Sequence, residues 1–464
     1  MASADAPAEP RGEGWLGRWT PGPQLAPILA LAAPLTAWFA LQSVVNLAVT
    51  AAIGGVGNLA LAGVGAASTL SGMVLALLFG FDTAVQATIA RRTGAARHAE
   101  IGQALVDGLT VSAPLGLVLT IGLWLAAPTL LAGMAPSAAA AAMGAANLRA
   151  AAPAIALSAL TIPVNACWIG QGRPKLSFLV SALQAPVQIG AAFALVFGFG
   201  PIPALGAAGA GLAVTISALV GLGLQLALVA RPGAVPGLRR ARLRAGGALA
   251  ALGIAWPISL QQALLQLGFV VLYLILARLG VAVVAAGNVL VSLASVPAQL
   301  SLGLAAAAAT LVGQTLGRED PDEARRWGWR SARLGVIAAA PFALVAMFAA
   351  GPVLGLFLHD PTTLTLAVWP LRITGLSIVA QAGVTVLSFA LRGAGATRIG
   401  AGIPFLGQWL ITLPLSWWVA VGLGFGLLGM ASVQAGVTLL EAAVTALVWS
   451  GARWTVHRTL SRAA

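Results

Sequence analysis

Three carboxylates fall inside long apolar segments of this sequence, where a charged side chain is out of place. Asp82 and Asp107 stand near the ends of two such segments, and Glu441 stands near the middle of a third. An ionised carboxylate at the centre of a lipid bilayer costs at least about 2.5 kcal/mol, so each group needs a partner, water or a proton. Because a carboxyl group in such a place can bind and release a proton or a cation, we select Glu441, Asp82 and Asp107 as cation-coupling candidates.

Uncharged polar side chains recur every three or four residues in the same kind of segment. Side chains at this spacing share one face of a helix. Amides are costly against lipid, so these faces must be turned toward other helices or toward a cavity. We favour a substrate cavity lined by Gln42, Asn46, Thr50, Gln184, Gln188, Gln262, Gln266, Phe269, Tyr273, Gln381, Gln408 and Thr412. Amides mixed with aromatic rings suit large amphipathic molecules and organic cations.

The composition places these side chains in a membrane protein. Of 464 residues, 59% are hydrophobic and 8% are charged, and a soluble domain could not bury so much apolar surface. Apolar runs of roughly 20 residues predict an all-α polytopic protein with twelve transmembrane helices. The predicted helices are 25–52, 59–85, 102–128, 139–169, 175–198, 206–230, 248–277, 282–313, 332–357, 364–390, 400–423 and 427–452.

The distribution of arginine predicts how the chain is oriented. The net charge of +13 comes from arginines that follow the even-numbered helices or end the chain, while the other connections are nearly bare. By the positive-inside rule, the even-numbered connections and both termini are cytoplasmic. We therefore expect a multi-pass protein of the bacterial cytoplasmic membrane, with lipids as neighbours and no nucleic-acid partner.

Cysteine and histidine are too scarce for common metal chemistry. The single Cys167 excludes an internal disulfide, and the three histidines are scattered over loops and tail. We expect no metal site, no cofactor and no enzymatic activity.

A constant offset of 223 residues relates landmarks in the two halves of the chain. The matched pairs are Pro34 and Pro257, Gly57 and Gly280, Ala62 and Ala285, Gly94 and Gly317, Arg149 and Arg372, Gly172 and Gly395, and Gly206 and Gly429. Two copies of a six-helix unit enter the membrane in the same orientation, so two pseudo-symmetric bundles should enclose a central cavity. The predicted parts are a disordered leader 1–24, an N-lobe 25–231, a basic linker 232–247, a C-lobe 248–455 and a tail 456–464.

Two arginines related by the repeat lie inside predicted helices. Arg149 and Arg372 are a few turns from the outer ends of helices 4 and 10. We favour a role in holding helix ends over substrate contact, and Arg372 is also a conceivable partner for Glu441.

Arginines near the ends of helices 2 and 3 offer an alternative to coupling for two of the acids. Arg91, Arg92 and Arg97 follow helix 2 closely. The plainer interpretation of Asp82 and Asp107 is that they pair with these arginines.

Several segments resemble the signature segments of the multidrug and toxic compound extrusion (MATE) transporters. They are NLAVTAAIGGVGNLALAGVG, FDTAVQATIARRTGA and IGQGRPK in the first half, and ARLGVAVVAAGNV, TLVGQTLG and LRGAGATR in the second. The resemblance spans about residues 25 to 455. It implies two six-helix lobes in an outward-opening V, and export of organic, often cationic, compounds driven by inward flow of sodium ions or protons.

The chain departs from the MATE pattern at three acidic positions. Many relatives have Asp where this sequence has Val49, and others have Glu near Leu265 and Asp near Gln381. The coupling carboxylate must therefore lie elsewhere, and both H⁺ and Na⁺ stay open as coupling ions.

Together these features predict a secondary active exporter of small organic compounds that works by alternating access and is a monomer. A lipid-linked saccharide flippase is the alternative, although its cavity would need more cationic side chains than Arg149 and Arg372. A membrane-embedded transferase is a third hypothesis, which would require clustered acids or a His and Asp pair that the sequence lacks.

Overall fold

The chain forms helices that are long enough to cross a membrane. A computed structural model describes residues 25–134, 137–201, 203–279, 281–355 and 361–451. Within these ranges, twelve helices have the length and hydropathy of membrane spans, which confirms the predicted all-α fold. The predicted leader and tail, Gly280 and the Tyr273 side chain lie outside the described parts.

The twelve spans follow the predicted order. We name them α1 to α12: Leu25–Gly54, Asn58–Gly94, Ile101–Met134, Ala138–Ala151 with Pro153–Gly170, Pro174–Phe197, Ala207–Val229, Ala245–Arg278, Val281–Gly317, Pro321–Phe348, Pro361–Gly393, Thr397–Gly422 and Gly426–Ser450. Helix α4 is interrupted at Ala152, because Pro153 has no backbone N–H to donate. Helix α11 contains two π-helical segments, Gly407–Thr412 and Trp418–Gly422.

Several predicted boundaries are wrong, and α9 shows the reason. It runs over Pro321–Phe348, whereas the hydropathy pattern predicted 332–357. The first turns of α9 carry many charges, so they fall outside an apolar run although they are helical. The carboxylate of Asp320 caps this end by accepting the backbone N–H of Glu323 at 2.8 Å.

The two lobes meet through two pairs of helices related by the repeat. Helix α2 crosses α7 where Gly80 lies against the backbone of Ala255 and Ser259. Helix α8 crosses α1 in the matching way, with Gly303 against Thr36. A Cβ atom on either glycine would overlap its neighbour, so glycine is what allows the two helices to approach.

A second crossing joins the ends of α2 and α8. Gly94 lies against the carbonyl of Gln314, and its repeat mate Gly317 lies against the carbonyl of Arg91. The side chains complete the symmetry, since Gln314 Nε2 donates to the carbonyl of Gly170 at 3.1 Å and Arg91 Nη2 donates to the carbonyl of Ala394. Each lobe therefore hydrogen-bonds to a helix end of the other lobe.

Each lobe also has its own core, and the N-lobe core contains a buried polar chain. Trp168 Nε1 donates to Gln225 Oε1 at 2.7 Å, and Gln225 Nε2 donates to Asn165 Oδ1 at 2.6 Å. Trp168 is fully buried and Gln225 is 1% exposed. The chain of hydrogen bonds therefore joins α4 to α6, with Trp168 and Gln225 in the core and the half-buried Asn165 at its edge.

Replacing Gln225 by Leu is expected to destabilise the N-lobe. The indole N–H of Trp168 and the amide of Asn165 would both lose their partner, and each such loss costs about 1–3 kcal/mol. Thermal unfolding of the purified protein in detergent measures the change. The control is Ser43→Ala, because the exposed Ser43 hydroxyl bonds only to its own helix at Phe39; equal stability of the two variants would contradict the assignment.

Candidate functional site

The polar stripe of α1 lies on a surface that is open rather than packed. Gln42, Asn46 and Thr50 are all exposed, and Thr50 Oγ1 donates to the carbonyl of Asn46 at 2.7 Å. An amide on the lipid face of a span would be left without hydrogen bonds. Such a stripe is expected to face water or protein, which favours the predicted cavity lining.

Helix α7, the repeat mate of α1, presents a matching surface. Gln266 and Phe269 are exposed and Gln262 is half-buried. The α1 and α7 stripes lie beyond the points where α1 and α7 contact the other lobe. The two stripes therefore lie on the same side of the lobe contacts, as the predicted cavity requires.

The stripes of α5 and α11 are engaged differently. Gln184 Nε2 donates to the carbonyl of Ser217 at 2.9 Å, and Gln408 Nε2 donates to the carbonyl of Leu265 at 3.4 Å. Each amide packs against a glycine of the neighbouring helix, Gly221 or Gly268. This placement favours interhelical packing over substrate contact for both glutamines. Gln188 is half-buried and Thr412 is buried.

The C-lobe encloses a separate pocket of about 160 Å³ between α7, α8, α10 and α12. Its polar lining consists of hydroxyls and amides without any ionisable group: Ser301, Thr374, Ser377, Gln381, Thr385, Gln434 and Thr438. Gln381 and Gln434 are exposed, so the pocket communicates with the outside of the lobe. Gln381 thus lines a cavity, although that cavity lies within one lobe and not between the two.

The predicted pairing of Asp82 and Asp107 with nearby arginines does not take the form of a direct ion pair among the described residues, although Arg92 is close enough to Asp107 for their charges to attract. Arg92 and Arg97 both bind Glu100, with nitrogen to oxygen distances of 3.7 and 2.6 Å. The buried Asp107 instead accepts a hydrogen bond from Gln103 Nε2 at 2.7 Å. Glu100 lies in the short connection between α2 and α3, next to both arginines in the chain. It is therefore closer to their guanidinium groups than the acids within the spans are.

Asp82 and Glu441 have no such partner. Both are half-buried, and neither takes part in a hydrogen bond or ion pair with any described residue. Glu441 lies between α12 and α11, with a carboxylate oxygen directly against the Cα of Gly407 at the start of a π-helical segment. Asp82 and Glu441 therefore remain candidates for cation coupling, because each is a carboxyl group without a fixed neutralising partner.

The arginines related by the repeat stack on tryptophans. The Arg149 guanidinium lies 5.2 Å from the ring centre of Trp124 and donates to the Trp124 carbonyl, while that of Arg372 lies 4.9 Å from Trp369. Arg372 forms no ion pair with Glu441, so the conceivable pairing of these two is not present. The Arg149 contact joins α4 to α3, in keeping with an architectural role, whereas Trp369 belongs to the same helix as Arg372.

One buried arginine was missed from the sequence. Arg392, at the end of α10, is 3% exposed, and its Nη2 donates to Gln261 Oε1 of α7 at 3.0 Å. Its Nε and Nη1 atoms have no partner among the described residues. Sequence reasoning placed it in a basic connection, where arginine is expected.

The fold and these sites define a two-lobed, multi-pass membrane protein built from a duplicated six-helix unit. The MatE family model matches residues 34–194 and 257–418, and the two matches begin at the repeated prolines Pro34 and Pro257. The chain belongs to the MatE family. Because this family and the relatives below are transporters, the prediction that the chain is not an enzyme is confirmed.

Individual relatives agree with the family match over most of the chain. The probable multidrug resistance protein NorM of Burkholderia pseudomallei is 30% identical over 86% of this chain and 87% of its own length. The NorM protein of Deinococcus radiodurans is 28% identical over 90% of this chain and 93% of its own.

Solved structures share the fold. A MATE protein crystallised in a straight conformation superposes with a TM-score of 0.85 at 20% identity, covering 92% of this chain and 96% of that protein. The eukaryotic MATE transporter AtDTX14 gives a TM-score of 0.82 at 20% identity, covering 93% and 96%.

Proposed function

We propose that this chain exports small organic, drug-like molecules from the cell, driven by the inward flow of protons. The observation that carries the proposal is the pair of exposed polar faces on α1 and α7, in a chain whose relatives are named multidrug resistance proteins. The exposed Phe269 adds an aromatic face to this amide surface. Such a surface can bind many amphipathic compounds without fixing one of them.

The arrangement of the lobes supports alternating access. The interlobe hydrogen bonds of Gln86, Arg91 and Gln314 lie at the ends of α2 and α8, beside the basic connections. If these connections are cytoplasmic, as the positive-inside rule requires, the cytoplasmic side is sealed and the predicted cavity opens outward. Rocking of the lobes about the two glycine crossings would expose the predicted cavity to the other side. We place the protein in the bacterial cytoplasmic membrane with both termini inside.

Glu441 is the first choice for the proton carrier, and Asp82 is the second. Both are carboxyl groups within spans that bond to no described residue, whereas Asp107 is engaged by Gln103. We choose a proton over Na⁺ as the coupling ion, because a single carboxyl group within a span is enough to carry a proton.

Transport by the purified protein in liposomes tests the proposal. A fluorescent lipophilic cation is trapped with the protein, and either a pH gradient or a sodium gradient is imposed. We expect a proton gradient alone to move the cation against its own gradient. Movement driven only by sodium would contradict proton coupling, and no movement of any compound in a panel of organic cations would contradict the exporter function.

A further inference from the structure

The hydroxyl groups that line the C-lobe pocket all use their proton in the same way. Each donates to a backbone carbonyl of its own helix at 2.8 or 2.9 Å: Ser301, Thr374, Ser377, Thr385 and Thr438. A hydroxyl has one proton to donate and two lone pairs that accept. Because the proton is used, these oxygens can only accept hydrogen bonds from a molecule in the pocket.

Two amides lie at the open side of the pocket. Gln381 and Gln434 are exposed, whereas Ser301, Ser377 and Thr438 are buried. Gln381 Nε2 donates to Thr385 Oγ1 at 3.4 Å, which leaves the Gln381 Oε1 atom as a further acceptor. Amides are costly against lipid, so the open side faces water or protein. A ligand that enters there meets buried oxygens that accept hydrogen bonds.

The size and the remaining lining of the pocket limit what can occupy it. Most of the other lining residues are apolar, among them Leu276, Leu290, Val291, Leu427 and Met430. The volume of about 160 Å³ is close to that of a cavity of roughly 150 Å³ that holds benzene. The pocket therefore suits a small hydrocarbon group that carries a hydrogen-bond donor, rather than a bare ion.

The six-helix unit does not require a polar lining at these positions. The repeat mates of four of the hydroxyl residues, Ser301, Thr374, Ser377 and Thr385, are apolar in the N-lobe: Leu78, Ala151, Ala154 and Ile162. Leu78 and Ile162 pack in one apolar cluster of that lobe. Serine and threonine often bond back to their own helix for packing alone. In the C-lobe, however, hydroxyls from α8, α10 and α12 converge on one cavity.

We propose that the C-lobe pocket binds a protonated primary or secondary amine carried on a small hydrocarbon group. An ammonium group with N–H bonds can donate to several of the hydroxyl oxygens at once, and such charge-assisted hydrogen bonds are strong. A quaternary ammonium has no N–H to donate, and a carboxylate brings only lone pairs. The inference rests on the proposed export for the source of such ligands, and it adds a second binding site with a selectivity of its own.

The test compares three compounds built on one benzyl group: benzylammonium, benzyltrimethylammonium and phenylacetate. Each is titrated against the purified full-length protein in detergent, and binding is observed through the NMR signals of the ligand. We expect benzylammonium to bind about tenfold or more tightly than the other two, because hydrogen bonds to charged groups contribute at least that much. Equal binding of benzylammonium and benzyltrimethylammonium would overturn the proposal.

A double variant shows whether the preference arises in this pocket. Thr374→Val with Thr438→Val removes two acceptor oxygens and keeps the shape of both side chains. The preference for benzylammonium should fall about fivefold or more. Thr129→Val is the matched control, because the exposed Thr129 hydroxyl of α3 bonds to its own helix at Ala126. An unchanged preference in the double variant, or the same loss in the control, would contradict the assignment; thermal unfolding verifies that both variants are folded.

Sodium ions also bind oxygen lone pairs, and a competition experiment separates the two occupants. The benzylammonium titration is repeated in sodium chloride and in tetramethylammonium chloride at equal ionic strength. We expect the same affinity in both salts. Displacement of benzylammonium by sodium alone would assign the pocket to a metal ion and overturn the proposal.

Failure of the proposed function is distinguishable from failure of this site, because binding is measured without any gradient. If no organic cation is exported from liposomes while benzylammonium binds through Thr374 and Thr438, the site stands and the exporter function is wrong. If export occurs but the double variant binds benzylammonium with an unchanged preference, the site is wrong and the exporter function stands.

Discussion

Glu441→Gln is expected to uncouple export from the proton gradient. Glutamine keeps the shape of the side chain beside Gly407 but cannot exchange a proton. Coupling energies between two sites are typically about 1–3 kcal/mol, so accumulation of substrate against its gradient should fall about 5- to 150-fold. Downhill exchange of substrate across the liposome membrane should persist, because the polar faces of α1 and α7 are untouched.

The measurement is uptake of a fluorescent organic cation into proteoliposomes at several imposed pH gradients. Glu441→Asp retains a carboxyl group and should keep a dependence on pH. Ser432→Ala on the same helix is the matched control, because the exposed Ser432 hydroxyl bonds only to the Leu428 carbonyl at 2.8 Å. If Glu441→Gln exports with an unchanged pH dependence, the proton carrier is another group, and Asp82 is tested next.

Gly94→Ala is expected to break the contact between α2 and α8. A Cβ atom at Gly94 would overlap the carbonyl oxygen of Gln314, which is a backbone atom and cannot turn aside. Overpacking of this kind costs about 1–3 kcal/mol, and the helices must move apart to relieve it. We expect lower thermal stability in detergent and loss of the seal at the basic side of the molecule.

Gly72→Ala in the same helix is the matched control, since a Cβ atom there meets open space. Pairs of cysteines introduced on α2 and α8 report the separation of the helix ends through their rate of cross-linking. The rate should fall in Gly94→Ala and stay unchanged in Gly72→Ala. If Gly94→Ala is as stable and as readily cross-linked as the control, the crossing does not hold the lobes together.

The repeat made much of the fold predictable from the sequence. Gly94 and Gly317 were visible as matched landmarks, and the two crossing helices place them against each other's backbone. Their function in the lobe contact was not visible, because it depends on which atom of the other lobe faces each glycine. The ends of the spans were also hard to predict, because charged turns such as the start of α9 are helical but not apolar.

The sequence predicted only part of the candidate site. Helical spacing predicts that the polar residues of α1 share one face, and all three are exposed. The same spacing on α5 and α11 gave amides that bond to neighbouring helices. The difference lies in Gly221 and Gly268, which let Gln184 and Gln408 approach the neighbouring helix. The spacing of residues within a single helix cannot predict such a contact, because it depends on a residue of another helix.

Arg392 was missed although the sequence held a signal for it. Arginine at the end of an apolar run looked like one more residue that orients the chain. The polar positions between 374 and 392 recur at helical spacing, and Arg392 is the last of them. A polar stripe that ends on an arginine therefore differs from an isolated arginine in a loop, and following the stripe would have found it.

We propose that protons drive export by this protein through Glu441. The most direct measurement is the number of protons that cross the membrane when substrate is added to proteoliposomes, recorded with a pH-sensitive dye in sodium-free buffer. We predict a substrate-dependent proton flux that is opposite in direction to the substrate and is lost in Glu441→Gln. A flux that is absent without sodium, or that persists unchanged in Glu441→Gln, would contradict the claim.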